Sequence, residues 1–112
     1  MTGRDEDGDT PFLYSCTIGN MEIAELLLST EQVDINESNN DGFTCLHFLA
    51  DNLHLNMIPS IVAKGADPSL PDEDGDLPAH VLLRNLQMKG MFHFSAPEPE
   101  EVESAFNSLN RV

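Results

Sequence analysis

The chain has 112 residues, a length that suits one domain, with twenty acidic side chains against five basic and a formal charge of −15. That balance repels nucleic acid and anionic membranes and attracts basic protein surfaces. No apolar run approaches the roughly 18–20 residues a membrane span needs, and the start Met1-Thr2-Gly3-Arg4-Asp5 is not a signal peptide.

In chain order, residues 1–9 are polar and are expected to fray as far as Asp9. Residues 10–17 predict a first helix, with Thr10 as N-cap and Pro11 at the first helical position, where no N–H is needed. Residues 20–28 predict a second, with Met21, Ile23, Ala24, Leu27 and Leu28 turned inward. A loop from Ser29 to Asn40 follows, then helices over 44–51, capped by Thr44, and about 55–63, where Pro59 delays the start or introduces a kink. Residues 66–76 form a second loop. Residues 78–86 form the next helix, entered from Leu77, which has no side-chain acceptor for capping. An irregular stretch, 87–95, places Met88, Met91, Phe92 and Phe94 as a plug. The last helix, 98–109, carries Val102, Ala105, Phe106 and Leu109 as an apolar stripe. Glu98, Glu100 and Glu101 in its first turn suit the positive end of the helix dipole.

A repeat runs under these elements. Asp7-Gly8-Asp9-Thr10-Pro11, Asp41-Gly42-Phe43-Thr44-Cys45 and Asp74-Gly75-Asp76-Leu77-Pro78 set glycines 34 and then 33 residues apart. Each glycine follows an acidic residue in a turn that calls for positive φ. Leu26-Leu27-Leu28 and Ile61-Val62 lie at matching offsets, and Gly65-Ala66-Asp67 closes the second unit. A period near 33 built on these pieces resembles the ankyrin repeat. Thr44-Cys45-Leu46-His47 is the nearest match to that family's Thr-Pro-Leu-His signature; Leu77-Pro78-Ala79-His80 and Thr10-Pro11-Phe12-Leu13 are partial ones.

The resemblance implies an all-α solenoid of helix-turn-helix units joined by β-hairpin-like loops, with a divergent C-terminal capping helix. It makes residues 1–112 a single domain: repeat one about 7–40, repeat two about 41–73, and a divergent third repeat with its cap about 74–112. Terminal units of a stack lack one neighbour. The open side of the first unit is expected to show Phe12, Ile18, Ile23 or Leu26 to water unless something covers them. In ankyrin folds a histidine at the place of His47 and His80 bridges neighbouring loops, so both are assigned a structural role.

Catalytic and metal chemistry find no motif. There is no His-Glu-x-x-His, Cys-x-x-Cys, phosphate-binding glycine loop or Gly-x-Ser-x-Gly elbow. The acidic glycine turns fail as calcium loops: with Gly75 at the sixth position the first ligand falls on Leu70 and the twelfth on Val81. Cys16 and Cys45 are expected to be buried reduced thiols, which suits a cytoplasmic or nuclear protein. The chain is therefore read as non-enzymatic, without cofactor or metal.

What remains is a protein-binding surface. Loop tips and the outward positions of each first helix line the concave face of ankyrin stacks. Carried onto this sequence, that face includes Asp9 and Tyr14 from unit one, Phe43, Phe48, Asp51 and Asn52 from unit two, and Glu73, Asp76 and Arg84 from unit three. The expected arrangement is an aromatic centre with an acidic rim, holding a basic protein segment as an adaptor or inhibitor does. One alternative is a homo-oligomer joined through the first unit's open side. Another follows from Asp-Gly-Asp-Thr at 7–10, which looks like the inhibitor-of-NF-κB group and implies masking of a transcription factor's basic segment.

Overall fold

The computed structural model describes residues 8–30, 33–89 and 99–109. Six α-helices and no strand occur among them. They are α1 (Pro11–Ile18), α2 (Met21–Thr30), α3 (Cys45–Asp51), α4 (Met57–Ala63), α5 (Pro78–Lys89) and α6 (Pro99–Leu109). Consecutive helices pair as α1–α2, α3–α4 and α5–α6. Across pairs, α1 packs on α3 and α3 on α5, while α6 packs on α4. The first helices thus form one layer, and α6 lies beside α4 as the second helix of the third unit.

Local chemistry explains where helices begin. Thr10 is extended, and its hydroxyl oxygen accepts from the Leu13 N–H at 3.2 Å. Its own proton goes to Glu37 of the following loop at 2.5 Å, so the cap also ties helix to loop. α1 ends at Gly19, left-handed at φ +75°. α4 starts two residues later than its sequence predicts, placing Pro59 third in the helix, where its missing N–H costs nothing. Leu77 offers no side-chain cap, yet its N–H is satisfied by His80 Nδ1 at 3.2 Å.

Two helices outrun the prediction. α2 continues to Thr30, and α5 runs to Lys89 rather than ending at 86. Residues 87–89 are good helix formers, and the first breaker after them is Gly90. The expected plug of Met91, Phe92 and Phe94, with the side chain of Met88, lies outside the described residues.

The core lies between the two layers. Phe12, Leu13, Leu46, Leu49, Ile58, Ile61, Val81 and Leu82 are buried, and Ala105 and Leu109 bring α6 onto it. Val102 and Phe106 pack at its edge, so the α6 stripe faces inward as expected. Two expectations for unit one need correction. Phe12 is fully buried: it holds the place of Leu46 one repeat later, a core position. Ile23, expected inward by its period but also on the open side of the unit, is 41% exposed, and Ile18 and Leu26 are exposed with it as the open side implies.

The loops stack on one another. Gly42 has φ +79°, and a Cβ there would stand 2.7 Å from the Glu73 nitrogen. That close approach lets the Glu73 N–H donate to the Asp41 carbonyl at 3.0 Å. Gly75 has φ +84° with nothing near its missing Cβ. Each tip is a tight hairpin-like turn: the Asn39 N–H donates to the Phe43 carbonyl at 3.0 Å, and the Asp72 N–H to the Asp76 carbonyl at 2.9 Å.

Candidate functional site

The loop tips and first helices bring some predicted site residues together and occupy others. Phe43 and Phe48 meet edge to face, ring centres 5.3 Å apart at 69°. Phe43 also stacks on the His47 ring at 5.2 Å and 25°. Both phenylalanines are half-buried, so each keeps an open surface. Tyr14, one repeat earlier than Phe48 in register, is 60% exposed.

Three of the predicted acids are engaged. The Asp9 carboxylate accepts from the Asn39 amide at 2.8 Å, and that of Asp51 from the Asn85 amide at 3.1 Å. Asp76 faces Arg84 at 3.4 Å, an exposed pair worth well under about 1 kcal/mol. Asn52 donates to the Phe48 carbonyl of its own helix at 3.0 Å. The exposed acids of this edge are Glu73 and, beside it, Asp41 and Asp74, brought together by the stacked turns.

His47 is the hub beneath the aromatic pair. Its Nδ1 accepts from the Thr44 N–H at 3.1 Å and lies 2.9 Å from the Thr44 hydroxyl. A backbone N–H can only donate, so Nδ1 carries no proton and Nε2 does. The Nε2–H then donates to the Asp76 carbonyl of the next loop at 2.8 Å. Burial holds the pKa of His47 below its ordinary value, partly opposed by the Asp76 carbonyl and by the charges of Asp72 and Asp76. Sequence reasoning missed a second link of this kind. His54 Nε2 donates to the Thr17 carbonyl at 3.0 Å, joining the α3–α4 turn to α1. Only a histidine in a turn marks it in the sequence.

Two features bear on chemistry. Cys45 and Cys16 are buried free thiols, and Cys45 donates to the Ile35 carbonyl at 3.4 Å. The neighbouring Cys16 thiol and burial push the Cys45 pKa well up, which denies it thiolate character at neutral pH. One carboxylate oxygen from each of Asp72, Asp74 and Asp76 lies within 4.8 Å of the others, an arrangement the calcium-loop spacing test does not see. Asp72 Oδ1 there accepts the N–H groups of Asp74 and Asp76 at 2.9 Å each, and so holds the turn.

Sequence comparisons with known proteins bear on the repeat. The sequence profile of the family described as ankyrin repeats, 3 copies, matches residues 1–72. The chain belongs to the ankyrin-repeat family. Among its ankyrin relatives, it is 30% identical over 77 residues to the probable 26S proteasome regulatory subunit p28 of Saccharomyces cerevisiae, covering 68% of this chain and 34% of that one. It is also 30% identical over 77 residues to ankyrin repeat protein OPG189 of Variola virus, covering 67% and 13%. Alpha-latrocrustotoxin-Lt1a of Latrodectus tredecimguttatus is 35% identical over 60 residues, 54% of this chain and 4% of the toxin. The chain therefore spans about a third of the yeast relative's length and far less of the other two. Ankyrin repeats are protein–protein interaction modules, generally without enzymatic activity, and this ankyrin-repeat chain is one such module. No described helix is long and apolar enough to cross a membrane.

Proposed function

We propose that this chain binds a basic protein segment across its loop tips and first helices, with Phe43 and Phe48 as anchors and Tyr14 extending the surface. The observation that carries this reading is the edge-to-face pair Phe43–Phe48, half-open to water, beside the exposed tips Asp41, Glu73 and Asp74. Aromatic anchors supply contact area at low entropic cost, and surrounding charge speeds encounter and selects sign. A net charge of −15 adds long-range attraction for cationic chains. Asp9, Asp51, Asn52, Asp76 and Arg84 act on this reading mainly as the scaffold that fixes the loops. An adaptor or inhibitor without a catalytic step fits it, and two buried thiols suit a reducing cytoplasmic or nuclear setting. The transcription-factor variant rests on Asp7 to Thr10 alone, and Asp7 lies outside the described residues.

The test is titration of a Lys/Arg-rich peptide into wild type and Phe43→Ala at about 50 and about 300 mM salt. The expected result is salt-sensitive binding, weakened about tenfold or more in the variant. Equal binding by both proteins would remove Phe43 from the site.

A further inference from the structure

A second apolar surface lies on unit one, around α2. Ile18, Ile23 and Leu26 are 46%, 41% and 59% exposed. Ile23 and Leu26 stand three residues apart on α2 and so share one face. Glu22 and Glu25, both exposed, run along one side of that stripe, and Ile18 shares a depression with Met21 and Glu22.

The next repeat provides an internal control. The residues 34 positions later than Ile18 and Leu26 are Asn52 and Ser60, the first donating to its own helix and the second exposed. The repeat therefore folds with polar side chains at both positions. Apolar ones in unit one are not required by the repeat and leave aliphatic surface in water. The counterpart of Ile23 is Met57, which is 4% exposed, so that position packs well when covered.

We propose that this stripe docks an amphipathic helix of a partner protein, one whose apolar ridge is flanked by lysine or arginine. Residues at i and i+3 form a ridge that fits the groove of a second helix. Glu22 and Glu25 complement a basic flank. A second copy of this chain is disfavoured by its own charge of −15.

The probe is a synthetic amphipathic helix of about 18 residues, a leucine stripe flanked by lysines, followed by fluorescence anisotropy. Ile23→Asp with Leu26→Asp is expected to weaken binding at least about tenfold although it adds two negative charges. Amide NMR shifts on adding this peptide are expected to be largest around Ile18, Glu22 and Glu25 rather than around Phe43 and Phe48, which separates this surface from the aromatic one. Glu22→Lys with Glu25→Lys is expected to lose the lysine-flanked peptide and gain a glutamate-flanked one. Unchanged or tighter binding by the Asp variant overturns the proposal, because charge alone then suffices. So do shifts of equal or greater size around Phe43 and Phe48. A wild-type dimer in sedimentation that the Asp variant dissolves also overturns it, by making the occupant a second copy.

Discussion

The Nε2–H of His47 reaches the Asp76 carbonyl across 2.8 Å, while Nδ1 of the same ring holds the Thr44 N–H at 3.1 Å. One imidazole thus satisfies the entry of α3 and the loop of the following unit, and it carries the Phe43 ring on its face. Its side chain is fully buried. His47→Ala removes two hydrogen bonds and opens a cavity, and is expected to cost roughly 2–4 kcal/mol of unfolding free energy. Urea unfolding of the two proteins checks this.

The same ring gives a pH dependence. His47 has a pKa below its ordinary 6.5 because burial disfavours the cation. The unfolded chain therefore binds that proton more readily than the folded one. Its contribution to stability is fully present above pH 6.5 and is lost as pH falls through the lower folded value, at no more than about 1.4 kcal/mol per pH unit. Unfolding of wild type and His47→Gln across pH 5 to 8 should show this slope in wild type and its absence in the variant.

Gly42 and Gly75 offer a matched pair, at the same place in successive turns with φ of +79° and +84°. An alanine at either pays the left-handed penalty of about 1–2 kcal/mol. Only at 42 does the new Cβ also meet backbone, at 2.7 Å from the Glu73 nitrogen. Gly42→Ala should therefore be clearly the more destabilising, and the difference measures the stacking of loop two on loop three. Equal losses would mean that the loops yield.

Leu53 holds φ +57° where the first repeat has Gly19. It packs against the core but is only half-buried. Leu53→Ala keeps the strain and loses contacts; Leu53→Gly loses the same contacts and relieves about 1–2 kcal/mol of strain. Glycine should then be the more stable variant by about 0.5–1 kcal/mol, after allowing for its larger unfolded-state entropy. Thermal unfolding of both gives the order.

Local chemistry made much of this molecule legible in advance. Thr10, Pro11 and the Asp-Gly turns announce helix starts and tight loops within a few residues, and the period near 33 places them in a stack. The apolar stripe of α6 was readable for the same reason. Contacts between units were not. Asp9 with Asn39, Asp51 with Asn85 and His54 with Thr17 join residues 30 or more positions apart. Nothing local marks such pairs, so Asp9 and Asp51, two acids that look like a free rim in the sequence, are partly committed to structure. That Asp41 and Asp74 join Glu73 at one exposed acidic edge emerges only when the turns are stacked.

The most direct test of the binding face is residue-by-residue mapping of amide NMR shifts as a Lys/Arg-rich peptide is added at low and high salt. The account predicts that the largest shifts fall on Asp41, Gly42, Phe43, Phe48, Glu73 and Asp74, fading with salt and exceeding those around Glu22 and Glu25. Shifts of equal size at acidic positions all over the surface would contradict it, since the chain would then attract cations without possessing a site for them.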